Sequence, residues 1–215
     1  MSIDELDKKG WFQTHISNGV NFLDALLEYA NELGIPVKGR KSLDIIQKLV
    51  PISSCKAHPC SLSSKYATGA FPLHVDTAHW LTPCRYLVFG CMDEGESVRP
   101  TILLDFNYLQ LTKEENDYLY NSPFVIKNGR NSFYGNILSK ERKFIRYDSG
   151  CMVPANNSEC KMKDLLSSKK VQESLTEIHW EKGMILVVDN WRIMHGRGNP
   201  MNNGVDRELY RVLVS

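Results

Sequence analysis

The stretch Gly183-Met-Ile-Leu-Val-Val-Asp-Asn-Trp-Arg-Ile-Met-His195-Gly-Arg-Gly198 decides how the rest of the chain is read. Met184 to Val188 is an unbroken apolar run with a turn-forming glycine before it and Asp189-Asn190 behind it. A short run of this kind, rich in β-branched residues, is the pattern of a strand covered on both faces. Ile193-Met194-His195 resumes the apolar texture, so the stretch predicts strand, turn and a second strand ending in a histidine. A polar Asp-Asn pair directly behind a core strand is odd for plain packing. It points to a turn built to present something, and Asp189 and Asn190 are expected to hold the turn that presents His195.

Outward from this stretch, similar short runs recur at Arg85–Cys91, Thr101–Phe106, Lys143–Tyr147 and Leu209–Val214, each flanked by Gly, Pro, Asn or Asp. Asn128-Gly129 and Gly183 read as turns. The first fifty residues read as helical. Phe22, Leu23, Leu26, Leu27, Ala30 and Leu33 recur at helical spacing before Gly34 and Pro36 end the run. A second helix is expected from Ser42 as its cap through Leu43, Ile45, Ile46, Leu49 and Val50 to a stop at Pro51. Thr112-Lys-Glu-Glu115 has the form of a capping box, and Met162–Leu175 reads as a further helix.

Strands do not alternate regularly with helices, which disfavours a doubly wound sheet. The pattern predicts a mainly β protein with flanking helices, a β-sandwich or jelly roll. One domain is expected over 1–215: a helical buttress at 1–52, a jelly-roll core at 66–215, and a variable insert at about 107–178.

Composition narrows the function. The chain has 215 residues, 42% of them hydrophobic, enough for a full core. A net charge of +1 gives no basic footprint, which argues against a nucleic-acid partner. The N-terminus carries Asp4, Glu5, Asp7, Lys8 and Lys9 in place of a secretory apolar run, and Met184 to Val188 is far too short to cross a bilayer. A soluble, cytoplasmic protein without membrane contact is expected. Six cysteines then read as reduced thiols. Cys55-x-x-His58-x-Cys60 imitates a zinc cluster but lacks a second pair at matching spacing.

The chemistry begins at Phe71-Pro-Leu-His74-Val-Asp76-Thr-Ala-His79-Trp80. On an extended chain His74 and Asp76 project to one face and can chelate a divalent metal. His195 can supply a third ligand. Two histidines and a carboxylate on one octahedral face leave three positions open, the geometry of non-haem iron oxygenases. Those positions suit a bidentate 2-oxo acid and dioxygen. The acid's far carboxylate needs a cationic fork when buried. Arg207 and Arg211 follow in a segment that, if extended, puts both on one face.

His74-x-Asp76, the Asp-Asn-Trp-Arg-Ile-Met-His195-Gly-Arg run and Arg207-x-x-x-Arg211 together resemble the TauD/TfdA-like group of 2-oxoglutarate dioxygenases. The resemblance runs from about Phe71 to the C-terminus. It implies a double-stranded β-helix fold, with His74, Asp76 and His195 binding iron(II). It implies Arg207 as the partner of the distal carboxylate of 2-oxoglutarate, with Thr101 where the family often places an assisting threonine. It also implies an enzyme that uses dioxygen, hydroxylates a small polar metabolite such as an amino acid or related carboxylate, and releases succinate and carbon dioxide.

Plainer readings stand beside these. Arg207 can instead pair with Asp206 or Glu208, and Thr101 can be an ordinary strand former. Arg211 is open between a substrate anion, the cosubstrate carboxylate and an acid partner. His79, Trp80 and Tyr66, with Lys65, are candidates for substrate contact, and Trp80, Trp191 and Phe71 can equally be core. Arg192 and Arg197 are expected behind the ligands, fixing Asp189 for example. Two other functions fit the same residues: oxidation of a protein or nucleic-acid side chain, and a metal- or ligand-binding barrel without catalysis.

Overall fold

In a computed structural model of the chain, the described residues are 3–17, 19–49, 55, 62–141, 143–156 and 161–215. The chain opens with α1 (Ile3–Lys9), β1 (Trp11–His15), α2 (Phe22–Leu33), β2 (Pro36–Val37), β3 (Ile46–Leu49) and α3 (Leu62–Tyr66). β4 (Phe71–His74), β5 (Tyr86–Asp93) and β6 (Thr101–Asp105) follow. The next segment holds α4 (Lys113–Asn121), β7 (Phe124–Asn128), β8 (Asn131–Gly135), β9 (Met152–Pro154), α5 (Lys161–Ser167) and α6 (Lys169–Gln172). β10 (Leu175–Ile178), β11 (Met184–Asp189), β12 (Ile193–Arg197) and β13 (Glu208–Val214) complete it.

Two antiparallel sheets face each other, as in a jelly roll. The major sheet runs β1-β11-β5-β13-β2, with β3 also paired to β13. The minor sheet runs β10-β6-β12-β4. Alternation along β11 shows how one strand serves two layers. Met184, Leu186 and Val188 point between the sheets, where they meet Leu103, Ile178 and Ile193 of the minor sheet. Ile185 and Val187 point outward under Leu26 and Ala30 of α2. That double burial explains why the run carries no polar alternation.

Helix α2 forms as its sequence predicts. The Asn21 side chain caps the N–H groups of Leu23 and Asp24, and the Gly34 N–H closes on the Ala30 carbonyl. The helix lies close to the sheet at Gly90, where a Cβ would come within 2.8 Å of the Phe22 ring. Leu26 is fully buried beneath it, and truncation to alanine would cost about 2–5 kcal/mol. The outer face of the minor sheet, with Leu73, Leu104 and Met194, is covered by α4 to α6 and by the three-stranded sheet β8-β7-β9. The capping box at Thr112 and Glu115 is present, and Gly129 turns the β7–β8 hairpin at a φ of 62°.

Four local expectations are corrected. The helix expected from Ser42 is absent. Ile46–Leu49 is instead strand β3, paired antiparallel to β13 with Val212 opposite Ile46. Over four residues helical and strand periods place apolar groups almost alike, and the open side of β13 offered a ladder. The N-terminal segment is therefore not a purely helical buttress, because β1, β2 and β3 join the major sheet. Lys143–Tyr147 is not a ladder strand and has only an isolated bridge from Ile145 to Leu138. The helix expected over Met162–Leu175 breaks into α5 and α6 at Ser168, whose hydroxyl donates to the Leu165 carbonyl, and Leu175 already opens β10.

Among the described cysteines, Cys84, Cys91 and Cys151 are free thiols, as expected. His58, Cys60, Cys160, Val50 and Pro51 lie outside the described residues. No helix among the described residues is long and apolar enough to cross a membrane.

Candidate metal centre

His195 sits in mid-strand on β12, with Leu103 beside it on one neighbour and His74 directly opposite on the other. A directly opposed antiparallel pair brings side chains together, and the two imidazole centroids are 4.4 Å apart. Gly196 lets the strands close. A Cβ there would come within 2.8 Å of the Phe71 carbonyl oxygen. His74 ends β4, so Asp76 stands just past the ladder, where Thr77 takes a positive φ of 55° and turns the chain away. The extended His-x-Asp expected from sequence is thus only half a strand, yet both side chains reach the same place.

The His74 Nε2 lies 3.8 Å from Asp76 Oδ1, and the His195 Nε2 lies 3.7 Å from Asp76 Oδ2. These separations are too long for hydrogen bonds. Ligand atoms of all three residues lie within 4.8 Å of one another, and no other such His/Cys/Asp/Glu group occurs among the described residues. The Pro72 carbonyl accepts from His74 Nδ1 at 3.0 Å, so that ring presents the bare Nε2 lone pair toward Asp76.

The protonation states suit ligation. Burial alone would raise the Asp76 carboxyl, but Arg211 and the two histidines hold it down to about 2. Burial, the neighbouring His74 and Arg211 push His195 down to about 3, against the opposing pull of Asp76. An ionised carboxylate facing the uncharged His195 ring is what a divalent cation requires. This donor set fits iron(II), and it is also acceptable to other first-row metals.

Arg211 joins the same cluster. It occupies the inner face of β13 between the core residues Leu209 and Leu213. Its Nη1 donates to Asp76 Oδ2 at 2.5 Å and its Nη2 to Gln47 Oε1 at 2.7 Å. Gln47 comes from β3, the strand misread as helix, so sequence reasoning missed it. Its signal was a polar residue between Ile46 and Leu49 in an apolar run.

Arg207 is 6% exposed and lies just before β13. Its guanidinium sits 5.7 Å from the centre of the Trp180 ring and donates to the Arg99 carbonyl. Trp180 Nε1 in turn donates to the Thr101 hydroxyl at 2.9 Å, so the structure links Arg207 and Thr101 through one tryptophan. The surface pairing considered for Arg207 does not occur. Asp206 is taken by Arg99 at 2.8 Å, and Glu208 by Lys48 and by the Tyr210 hydroxyl. Burial, with Arg99 and Arg197 nearby, pushes Arg207 down to about 9. A buried cation with no carboxylate in ion-pair range among the described residues is suited to an anionic ligand.

The remaining candidates fall in the loop after Asp76 or beside it. His79 is half-buried and edge-on to Trp80 at 6.2 Å; burial and Arg40 push its pKa down, partly offset by Asp148 and Asp76. Tyr66 packs edge-on against Phe71, and Lys65 donates to the Ser149 carbonyl. Sequence reasoning missed Arg146, a buried residue of the expected insert. It donates to the carbonyls of Ala78, Trp80 and Leu81 and so braces that loop. Arg192 does not fix Asp189; it forks onto Asp105, with the closest contact at 2.6 Å. Arg197 stacks on Phe71 and donates to the Ala67 and Gly69 carbonyls. Asp189 holds the turn by accepting from the Trp191 N–H, whereas the Asn190 side chain turns to Asp76.

Residues 121–213 match the family model "Taurine catabolism dioxygenase TauD, TfdA family", a span that includes His195, Arg207 and Arg211 but not His74 or Asp76. The match takes in most of the region expected to be a variable insert. No curated protein sequence matches the chain. Among solved structures, the non-heme iron oxygenase OrfP in complex with Fe and alpha-ketoglutaric acid aligns at a TM-score of 0.71 and 20% identity, over 99% of this chain and 77% of that one. An asparagine oxygenase in complex with Fe(II), 3-hydroxyasparagine and succinate aligns at 0.72 and 16%, over 99% and 77%. PvcB from Pseudomonas aeruginosa aligns at 0.70 and 14%, over 99% and 78%. At such identities the likeness is one of fold.

Proposed function

We propose that this chain is an iron(II)- and 2-oxoglutarate-dependent oxygenase that hydroxylates a small polar metabolite, an amino acid or related carboxylate. The observation that carries the reading is the convergence of His74, Asp76 and His195 on the inner face of a jelly roll, with a buried arginine, Arg207, on the same core that has no ion-paired acid among the described residues. The family match over the C-terminal segment supports it. So do fold neighbours solved with hydroxyarginine and hydroxyasparagine, which favour an amino acid as substrate.

In this reading His74, Asp76 and His195 hold the ion from one side. Bound iron(II), with 2-oxoglutarate and dioxygen, would supply the oxidising power for C–H hydroxylation, with succinate and carbon dioxide as co-products. Arg211 holds Asp76 Oδ2 and so keeps the carboxylate from rotating. The Arg207 fork takes the distal carboxylate of the cosubstrate. Thr101 already accepts from Trp180, which leaves its own hydroxyl proton to donate to that same carboxylate. Leu103, Phe89, Leu186 and Leu209 wall the inner space with apolar surface, which keeps water away and strengthens the arginine–carboxylate contacts. His79 and Trp80, on the loop braced by Arg146, face the substrate.

The test is aerobic incubation with iron(II), 2-oxoglutarate and a panel of amino acids and their conjugates, following succinate and a substrate mass gain of one oxygen. Succinate coupled to one hydroxylated product is expected. Succinate without any product in the panel would move the reading toward a macromolecular substrate, and no succinate at all would favour a barrel without catalysis.

A further inference from the structure

Asn190 is completely buried in the β11–β12 turn. Its side-chain Oδ1 accepts from the Asp76 N–H at 3.0 Å, and its Nδ2 donates to the Asp76 carbonyl at 3.0 Å and to the Cys84 carbonyl at 2.9 Å. One side chain thus exchanges two hydrogen bonds with the backbone of a single residue. That is the exchange a directly opposed residue makes in an antiparallel ladder.

The chain has reason to need this substitute. β4 ends at His74, and at Thr77 the backbone turns off with positive φ. The Asp76 N–H would be left without a partner in a buried setting, at real cost, while its carbonyl also accepts from the Thr77 hydroxyl at 2.7 Å. Among side chains of this length only asparagine carries both the donor and the acceptor. Aspartate lacks the donor, and leucine lacks both. The Asn190 N–H donates to the Arg85 carbonyl at 2.8 Å, so the clamp is itself anchored to the chain leading into β5.

We infer that Asn190 is a positioning residue for the metal centre, setting the backbone of Asp76 and thereby the place of its carboxylate between His74 and His195. The inference rests on the reading that those three residues bind a divalent metal. It gives the Asp-Asn pair a second task beyond the turn itself, because the turn that leads into the His195 strand also holds the carboxylate ligand. Cys84, which shares the clamp through its carbonyl, is buried, and its thiol is pushed up to about 12 by burial, with Asp76 adding to the rise.

Cobalt(II) titration of the full chain, read by visible absorption and by competition with a chelator, tests this. Wild type is expected to bind one cobalt. Asn190→Ala should weaken binding by about 10- to 100-fold, the usual scale for residues that orient ligands, with a changed absorption envelope. Asn190→Asp keeps the acceptor and loses the donor, and should fall between the two. Leu26→Ala, on α2 far from the site, should lower the thermal midpoint and leave cobalt affinity and spectrum unchanged, which separates positioning from general loosening. If Asn190→Ala does not fold, Asn190→Asp decides alone. Wild-type affinity and spectrum in the folded Asn190 variants would overturn the inference while leaving the metal centre intact. Failure of wild type to bind cobalt would overturn the metal centre, and the inference with it.

Discussion

His195 stands in the middle of a sheet, hydrogen-bonded into ladders on both sides, while Asp76 stands two residues past the end of β4 and is held by the side chains of Asn190 and Arg211. Backbone pairing places the histidines. Individual polar contacts place the carboxylate. A ladder averages over many residues and tolerates changes on its surface, whereas a clamp made by one amide and one guanidinium has no redundancy. Substitutions around Asp76 should therefore be costlier, and more specific in what they damage, than substitutions around His195.

The largest effect should come from Asp76→Ala. On the proposed reading it removes a ligand, so metal binding should be lost. It also leaves Arg211 facing two histidines without its acid, and breaking a largely buried pair costs about 3 kcal/mol. Guanidinium unfolding of the metal-free protein should show that loss, and Arg211→Met added to Asp76→Ala should recover most of it. His195→Ala should lose metal binding with no such electrostatic component, and Arg211→Met should not rescue it.

Arg207→Met should act in opposite directions on stability and on ligand binding. Without ligand, the substitution removes a buried cation that has no ion-paired acid among the described residues, and should stabilise the protein by about 1 kcal/mol. Affinity for 2-oxoglutarate should fall by at least about 30-fold, or about 2 kcal/mol. Calorimetry with and without the cosubstrate checks both signs. A loss of stability with unchanged cosubstrate affinity would make Arg207 structural.

The pH dependence sharpens the same contrast. His195 is held from its ordinary 6.5 down to about 3. Between those values the unfolded chain binds a proton that the folded chain does not, so stability is complete above 6.5 and falls as pH drops toward 3. The slope from this group is at most about 1.4 kcal/mol per pH unit. Asp76 is depressed from 3.8 to about 2, so its contribution is present above 3.8 and is lost only below it. Denaturant melts in chelator between pH 4 and 6.5 should show a shallower slope in His195→Gln, with Asp76→Asn changing little of the slope in that window. The smallest effect should be Thr112→Ala, which loses the capping box on α4 at a cost of about 1 kcal/mol and leaves metal affinity untouched.

The parts of the fold and site legible in the sequence are those encoded locally. The double-sided burial of β11 showed as an unbroken apolar run, the α4 cap as Thr112 and Glu115, and the candidate ligands as a short His-x-Asp and a histidine behind a turn. What could not be read was encoded between distant segments. Strand β3 exists because β13 has an open side, a fact absent from residues 46–49 themselves. Arg146 and Gln47 act on loops far away in sequence. Asn190 was flagged for the turn that presents His195, but its larger engagement is with a residue 114 positions earlier. No periodicity announces such contacts.

One set of residues acts together in the proposed enzyme: His74, Asp76 and His195 for the metal, and Arg207 for the cosubstrate. Anaerobic titration of the protein with iron(II) and then 2-oxoglutarate tests that most directly, by the weak visible charge-transfer absorption of a chelated 2-oxo acid. The expected result is a band in wild type that is absent in His74→Ala and restored in Arg207→Met only at much higher 2-oxoglutarate. No band in wild type, or a band that persists unchanged in His74→Ala, would contradict it.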